Sequence, residues 1–226
     1  MQLESRIVHF QRNRFLKGLI ARWRPLITLV RGRLSDPRYF QITVLVCLIL
    51  YGTQVLDFDL TGPYVATVLA TVLMTQAMAT RLWDLPVFDP KSCLISGLSL
   101  CLLMRTDSLS LAIVAAVVTI LSKFIIRWRG RHIFNPTNFG ICIMLACQSS
   151  VWVSPGQWGN GAILDLILGS FGFLVVRRAR TSDITIAFLC AYIILVVGRS
   201  LWLGDPWAIS FHKLQGGTLY IFSFFM

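Results

Sequence analysis

Ile184-Thr185-Ile186-Ala187-Phe188-Leu189-Cys190-Ala191-Tyr192-Ile193-Ile194-Leu195-Val196-Val197-Gly198 runs without a charge or a proline. With its flanks it reads as an apolar helix over 183–203, the length needed to cross a hydrocarbon layer about 30 Å thick. The pattern recurs along the chain. Further spans are expected near 39–56, 63–81, 107–126 and 160–176, with shorter apolar stretches at 92–104 and 133–148 and a last run from 217. The fold class is therefore all-α: a polytopic membrane protein of about seven to eight helices, short or broken ones included. Residues 1–38 form a basic arm and 39–226 the transmembrane domain.

Composition agrees. Of 226 residues 56% are apolar and 14% charged, against about 25% charged in soluble domains. The formal charge of +11 raises the question of nucleic acid. Its distribution answers it, because the basic residues stand in short clusters between apolar runs, which suits lipid headgroups and not a phosphate-tracking groove. If every stretch crosses once, all basic residues except Arg105, Arg199 and Lys213 fall on the side of the N-terminus. That side is then cytoplasmic, in a bacterial inner or photosynthetic membrane. Omitting either short stretch as a crossing destroys this alternation, so both are expected to cross with irregular backbone buried among neighbours.

The arm has helical periodicity. Phe15, Leu16, Leu19, Ile20 and Trp23 share one face, and Arg14, Lys17 and Arg24 the other; Arg22 is a further membrane-surface candidate of the arm. This predicts an amphipathic helix on the membrane surface. No early apolar core with a small-residue cleavage site precedes it, so insertion is expected to begin with the first span.

Two stretches carry the polar character of the domain. Phe134-Asn135-Pro136-Thr137-Asn138-Phe139-Gly140 opens one short apolar run, and Asp89-Pro90-Lys91-Ser92 opens the other, which continues through Ser96-Gly97-Leu98-Ser99. Proline at the start of a helix removes a donor that would be orphaned anyway, and Asn or Asp before it caps the next amides. Two readings of Asn135, Thr137 and Asn138 follow: capping alone, or a helix start aimed at an anionic or polar ligand. Ser96, Gly97 and Ser99 likewise permit close helix packing or line a site between paired half-helices. Trp152 and Trp158, set among turn residues, read as interfacial anchors or as a stacking surface for a flat cofactor. Among intramembrane ionisable residues, Asp165 and Arg199 are candidates for an ion pair or an ion path.

Other chemistries find no support. The six cysteines form no CxxC pair, so packing explains them better than a metal, and no metal site is expected. His9, His132 and His212 lack the apolar-helix setting of a haem ligand. No phosphate-loop, dinucleotide or hydrolase motif is present.

The Asp89–Leu100 and His132–Gly140 stretches resemble the RnfD/NqrB family, membrane subunits of the Rnf and sodium-pumping NADH:quinone oxidoreductase complexes. A closer resemblance is to its enediyne-biosynthesis UnbU-like subgroup. That likeness rests on Asp36-Pro37-Arg38, Leu56-Asp57-Phe58-Asp59-Leu60, the Phe134–Gly140 string, Trp152-Val153-Ser154-Pro155-Gly156-Gln157-Trp158-Gly159 and Leu201-Trp202-Leu203-Gly204-Asp205-Pro206. The resemblance implies helices in two related halves, flavin-linked electron transfer and partner membrane subunits. The family's covalent flavin sits on the threonine of a Ser-Gly-Ala-Thr type motif. Here Gly161-Ala162 is followed by Ile163, so no covalent FMN is expected, and the chain stops short of the family's last helices. The expectation is an accessory, non-catalytic subunit of a larger respiratory or photosynthetic complex. Its alternatives are a redox-driven cation-transport subunit holding flavin or quinone non-covalently, and a small-molecule channel. Ser96, Asn135, Thr137, Asn138 and Trp158 are the candidate cofactor contacts.

Overall fold

The structure, a computed structural model, describes residues 36–153, 169–170, 172–177, 182–214, 219 and 223. The arm residues Arg14, Lys17, Arg22 and Arg24, the loop Trp158, Asp165 and most of the 160–176 span lie outside the described residues.

The molecule is mostly helical. In chain order come α1 (Pro37–Val55), α2 (Gly62–Leu82), α3 (Pro90–Leu103), β1 (Met104–Thr106), α4 (Leu109–Ile125), β2 (Arg127–Trp128), β3 (Arg131–His132), α5 (Pro136–Cys147), β4 (Val151–Val153), α6 (Ser182–Leu203) and α7 (Trp207–Leu214). Three of these, α1, α2 and α6, are long and apolar enough to cross a membrane. At about 1.5 Å per residue they extend for roughly 28 to 33 Å. The other apolar helices are shorter: α3 has 14 residues, α4 has 17 and α5 has 12.

Local chemistry explains where the helices start. Asp36, Asp89 and Asn135 each precede a proline in the first turn, and each side chain accepts from backbone amides of that turn. Thr61 does the same before Pro63. The proline spends no useful donor and the cap satisfies the amides that follow.

Packing puts α3 in the middle. From Ser96 to Leu103 every residue of α3 is buried, and α1, α2, α4 and α5 all pack on it. α1 contributes Leu45, Leu48, Ile49 and Gly52 from one face. α2 contributes Tyr64, Val68 and Val72, and α4 the small residues Ala112, Ala115 and Ala116. At Gly97 an added Cβ would lie 2.9 Å from Val72 Cγ2, so the α2–α3 approach needs glycine there. By contrast α6 makes its main contact with α7 and leaves Ile194, Leu195 and Trp202 exposed, Trp202 at 88%.

Irregular backbone follows both short helices. β1, after α3, pairs antiparallel with β4, after α5, with Arg105 opposite Trp152. Their amides and carbonyls are thereby satisfied where helix geometry stops. The all-α expectation omitted these strands. Three-residue ladders have no periodicity to betray them, and here tertiary pairing creates them. A second ladder, β2 with β3, closes through Arg129 (φ 49°) and Gly130 (φ 81°), the two positive φ values of a type I′ hairpin. α7 was also not foreseen. Asp205-Pro206 stands immediately before it.

Candidate functional site

Two helix starts are tied to each other by charge. Asp36-Pro37-Arg38 opens α1 and Asp89-Pro90-Lys91 opens α3, and each acid meets the other's base: Lys91 Nζ bonds Asp36 Oδ2 and Arg38 bonds Asp89 Oδ2. Lys91 also sits over the Tyr39 ring, 4.5 Å from its centroid. The hydrogen bond from Lys91, then the backbone N–H of Arg38, hold the Asp36 carboxyl below its ordinary value. The contribution of such a depressed carboxylate is full above the unfolded pKa, about 3.9, and is lost as pH falls through the folded one. The clasp is therefore expected to open only in strong acid. Thermal unfolding in detergent scanned from pH 6 to 3 should lose stability below about pH 4, and Asp36→Asn should flatten that loss. Both bridges are open to solvent, so each contributes little to stability.

Above this clasp a cavity of about 510 Å³ opens between the starts of α1, α3 and α5. The volume lies in the ordinary range of small-molecule sites, about 300 to 1,000 Å³. Its wall has five sources. α1 supplies Arg38 and Gln41; α5 supplies Asn135, Pro136 and Thr137; the end of the β2–β3 hairpin supplies His132. α3 supplies Ser92, Ser96 and Ser99, which stand at i, i+4 and i+7 and so form one hydroxyl stripe about 10 Å long. Lys123, from the last turn of α4, completes it.

The sequence candidates sort as follows. Ser96, Asn135 and Thr137 come together on this wall, and Thr137 Oγ1 donates to Ser96 O at 3.2 Å. Asn138 is not on the wall, and its Oδ1 is buried without a hydrogen-bond partner among the described residues. The capping reading of Asn135 is correct as far as it goes: its Oδ1 accepts from Thr137 N at 3.0 Å and from Asn138 N at 3.4 Å. Those amides are thus taken, and a ligand meets side chains and helix dipoles instead of free N–H groups. Arg199 pairs with Asp205 at 2.9 Å, one turn from the end of α6.

Sequence reasoning missed Lys123. It counted only as one of the basic residues on the N-terminal side. In the structure it is 9% exposed and donates to Ser92 O at 3.0 Å and Ser92 Oγ at 3.2 Å. No carboxylate lies within ion-pair distance of it among the described residues. Ser99 was read as a small packing residue or as part of a site between half-helices, and was not among the candidate cofactor contacts. It is 3% exposed and lines the cavity. Gly97, its neighbour, is the true packing position. His132 is held below its ordinary pKa, first by burial and then by the nearby charges of Lys123 and Arg127, so at neutral pH it adds no charge to the wall.

A second, smaller cavity of about 270 Å³ lies at the opposite end of α3, near Asp59, Tyr64, Arg105 and Asp107. There Arg105 turns inward, donating to Cys101 O at 2.7 Å and Met104 O at 2.9 Å. It covers the negative end of α3 with a cation. No cluster of His, Cys, Asp or Glu suited to a metal ion occurs among the described residues. Cys93 and Cys101 are buried, and all six cysteines are free thiols.

Compared with known proteins, the chain matches no family model, no curated protein and no solved structure.

Proposed function

We propose that this chain is a multi-pass membrane subunit of a larger electron-transport complex, accessory in role, built around a non-covalent ligand site at the cytoplasmic ends of its helices. One observation carries the reading. The two stretches that resemble the RnfD/NqrB family, one opening at Asp89-Pro90 and the other at Asn135-Pro136, meet at a single cavity, bridged by the Thr137–Ser96 hydrogen bond. Sequences 41 positions apart that converge on one cavity at helix starts suit a ligand site better than two unrelated caps do.

The donor set fits a flavin or a quinone as to type. Lys123, Ser92 and Ser99 offer hydrogen-bond donors to carbonyl oxygens, and Ile95 and Pro136 offer apolar wall. When bound, such a group would supply electron transfer. The chain's own residues bind it, orient it and shield it from water. The exposed apolar faces of α6 and the basic arm supply surfaces for lipid and partner subunits.

In this reading the short helices α3 and α5 also cross. α3 with β1 extends over about 31 Å by helix and strand rises. The count is then seven to eight crossings with the N-terminus cytoplasmic, in a bacterial inner or photosynthetic membrane. Cysteine labelling in intact spheroplasts should place the 127–131 and 177–180 loops on the same, cytoplasmic face. Labelling that puts them on opposite faces sinks the topology. The functional reading is tested on the native complex, by identifying co-purifying subunits and recording reduced-minus-oxidised difference spectra. Redox-active partners are expected. Isolation of the chain alone from gently solubilised membranes overturns the reading.

A further inference from the structure

Charges around the cavity do not balance. Asp36 is matched by Lys91 and Asp89 by Arg38. Lys123 is left over, nine-tenths buried, and among the described residues its hydrogen-bond partners are the neutral carbonyl and hydroxyl of Ser92. A buried cation without a counter-charge is costly in a low-dielectric site. The dipoles add to it on balance, since only the end of α4 at Lys123 turns a negative pole to the cavity. Three helix starts face the cavity, each equivalent to roughly half a positive charge, and the third is capped by the uncharged Asn135.

An independent feature sits deeper. Ser99 is 3% exposed, lines the cavity and makes no side-chain hydrogen bond among the described residues. A serine in a helix ordinarily returns its proton to the carbonyl four residues back, as Ser96 does to Ser92 O at 3.1 Å. Ser99 does not. The Ser92 hydroxyl accepts from Lys123, so its own proton is also available to the cavity.

We propose that this cavity binds an oxyanion, a phosphate group carried by a soluble molecule or by a lipid headgroup, with Lys123 as its counter-charge and the Ser92 and Ser99 hydroxyls as its neutral donors. A tetrahedral oxyanion takes several donors at once, and hydrogen bonds to a charged oxygen are about twice as strong as neutral ones. It also neutralises the unmatched lysine. This inference rests on reading the cavity as a ligand site. It does not depend on the electron-transport assignment.

The test uses the full chain, in a phosphate-free non-ionic detergent and in nanodiscs. Radiolabelled orthophosphate in equilibrium dialysis probes the soluble source. Native mass spectrometry after extraction from nanodiscs of phosphatidylcholine with 30% phosphatidylglycerol (about one anionic lipid in three, enough to raise a surface potential) probes the lipid source. The variants are Lys123→Gln, which keeps donors and removes the charge, Lys123→Arg, which keeps the charge, and Ser99→Ala. Saturable phosphate binding that weakens at least about tenfold in Lys123→Gln, by the factor of ten that 1.4 kcal/mol represents, supports the proposal with a soluble ligand. Retained phosphatidylglycerol that Lys123→Gln loses supports it with a lipid. Ser99→Ala should weaken either by a smaller factor, and Lys123→Arg should retain most of it. Absence of binding by both probes overturns the proposal, and so does binding unchanged in Lys123→Gln. Unchanged gel-filtration and circular dichroism profiles show that the variants fold. Co-purification of redox subunits is scored separately, so a failed oxyanion site and a failed complex assignment give different results.

Discussion

Gly140→Ala is expected to destabilise the protein by about 1–3 kcal/mol, the usual cost of forcing a methyl into a packed contact. The sign is what makes the experiment informative. In the middle of an isolated helix the same change gains about 0.5–1 kcal/mol, because glycine has more freedom to lose on folding. Here an added Cβ would lie 2.0 Å from Thr119 Oγ1, 3.1 Å from Thr119 Cβ and 3.2 Å from Thr119 Cα. Rotating the threonine relieves only the first contact. The Cα cannot move without separating α5 from α4. Thr119 is fully buried, and its hydroxyl has no hydrogen-bond partner among the described residues. Thr119→Ala alone is therefore expected to be close to neutral, since it deletes an unsatisfied buried oxygen. Combined with Gly140→Ala it should recover about half of the loss or more, a coupling well above the few tenths seen for distant sites. Thermal unfolding of the four proteins of this cycle in one detergent measures it. A stabilised Gly140→Ala protein would show that α4 and α5 do not meet at this point.

Arg105→Ala is expected to cost on the order of 3 kcal/mol, by the usual worth of charge-assisted hydrogen bonds. Arg105 is 5% exposed. Its guanidinium joins the last turn of α3 to the strand that continues it, bonding Cys101 O and Met104 O. It also lies over the Phe58 ring, 5.2 Å from the centroid. Alanine removes both of those bonds, leaving Met104 O with the long one from the Tyr64 hydroxyl at 3.4 Å, and it removes the side chain from the Arg105–Trp152 step of the β1–β4 ladder. Lysine should recover only part of the loss, because one ammonium cannot reproduce the planar fork. Arg199→Ala is the control. Arg199 is about half exposed and pairs with Asp205, so its loss should cost under about 1 kcal/mol. Equal effects at Arg105 and Arg199 would mean that the inward guanidinium contributes nothing special. Urea or heat titrations in detergent, read by tryptophan fluorescence, decide it.

The two arginines show how far sequence reading reaches. Both were among the three basic residues left on the far side by the charge pattern, and Arg199 was picked out as a candidate for ion pairing. Hydropathy could not tell them apart, because each borders an apolar run. Only the fold turns Arg105 inward across the end of α3 and leaves Arg199 beside Asp205 at the rim of α6. The same holds for the basic residues of the near side. Lys123 and Arg127 are four positions apart in sequence, yet Lys123 is buried in the cavity wall and Arg127 lies exposed in a hairpin, bonded to the Gly130 carbonyl.

By itself the sequence determined the helical class, the two polar stretches and the starts of α3 and α5 that open them. These depend on nearest neighbours: a run of apolar residues, a proline behind an Asp or Asn, a hydroxyl every third or fourth position. Tertiary structure decided which of those local features face one another. It crossed Asp36 to Lys91 and Arg38 to Asp89, gave Gly97 to the packing of α2 on α3 and left Ser99 to the cavity, paired β1 with β4, and left Lys123 with no carboxylate at ion-pair distance among the described residues. The physical reason is that charge balance, close approach and strand pairing are properties of surfaces brought together from distant parts of the chain, and no local pattern records which surface will meet which.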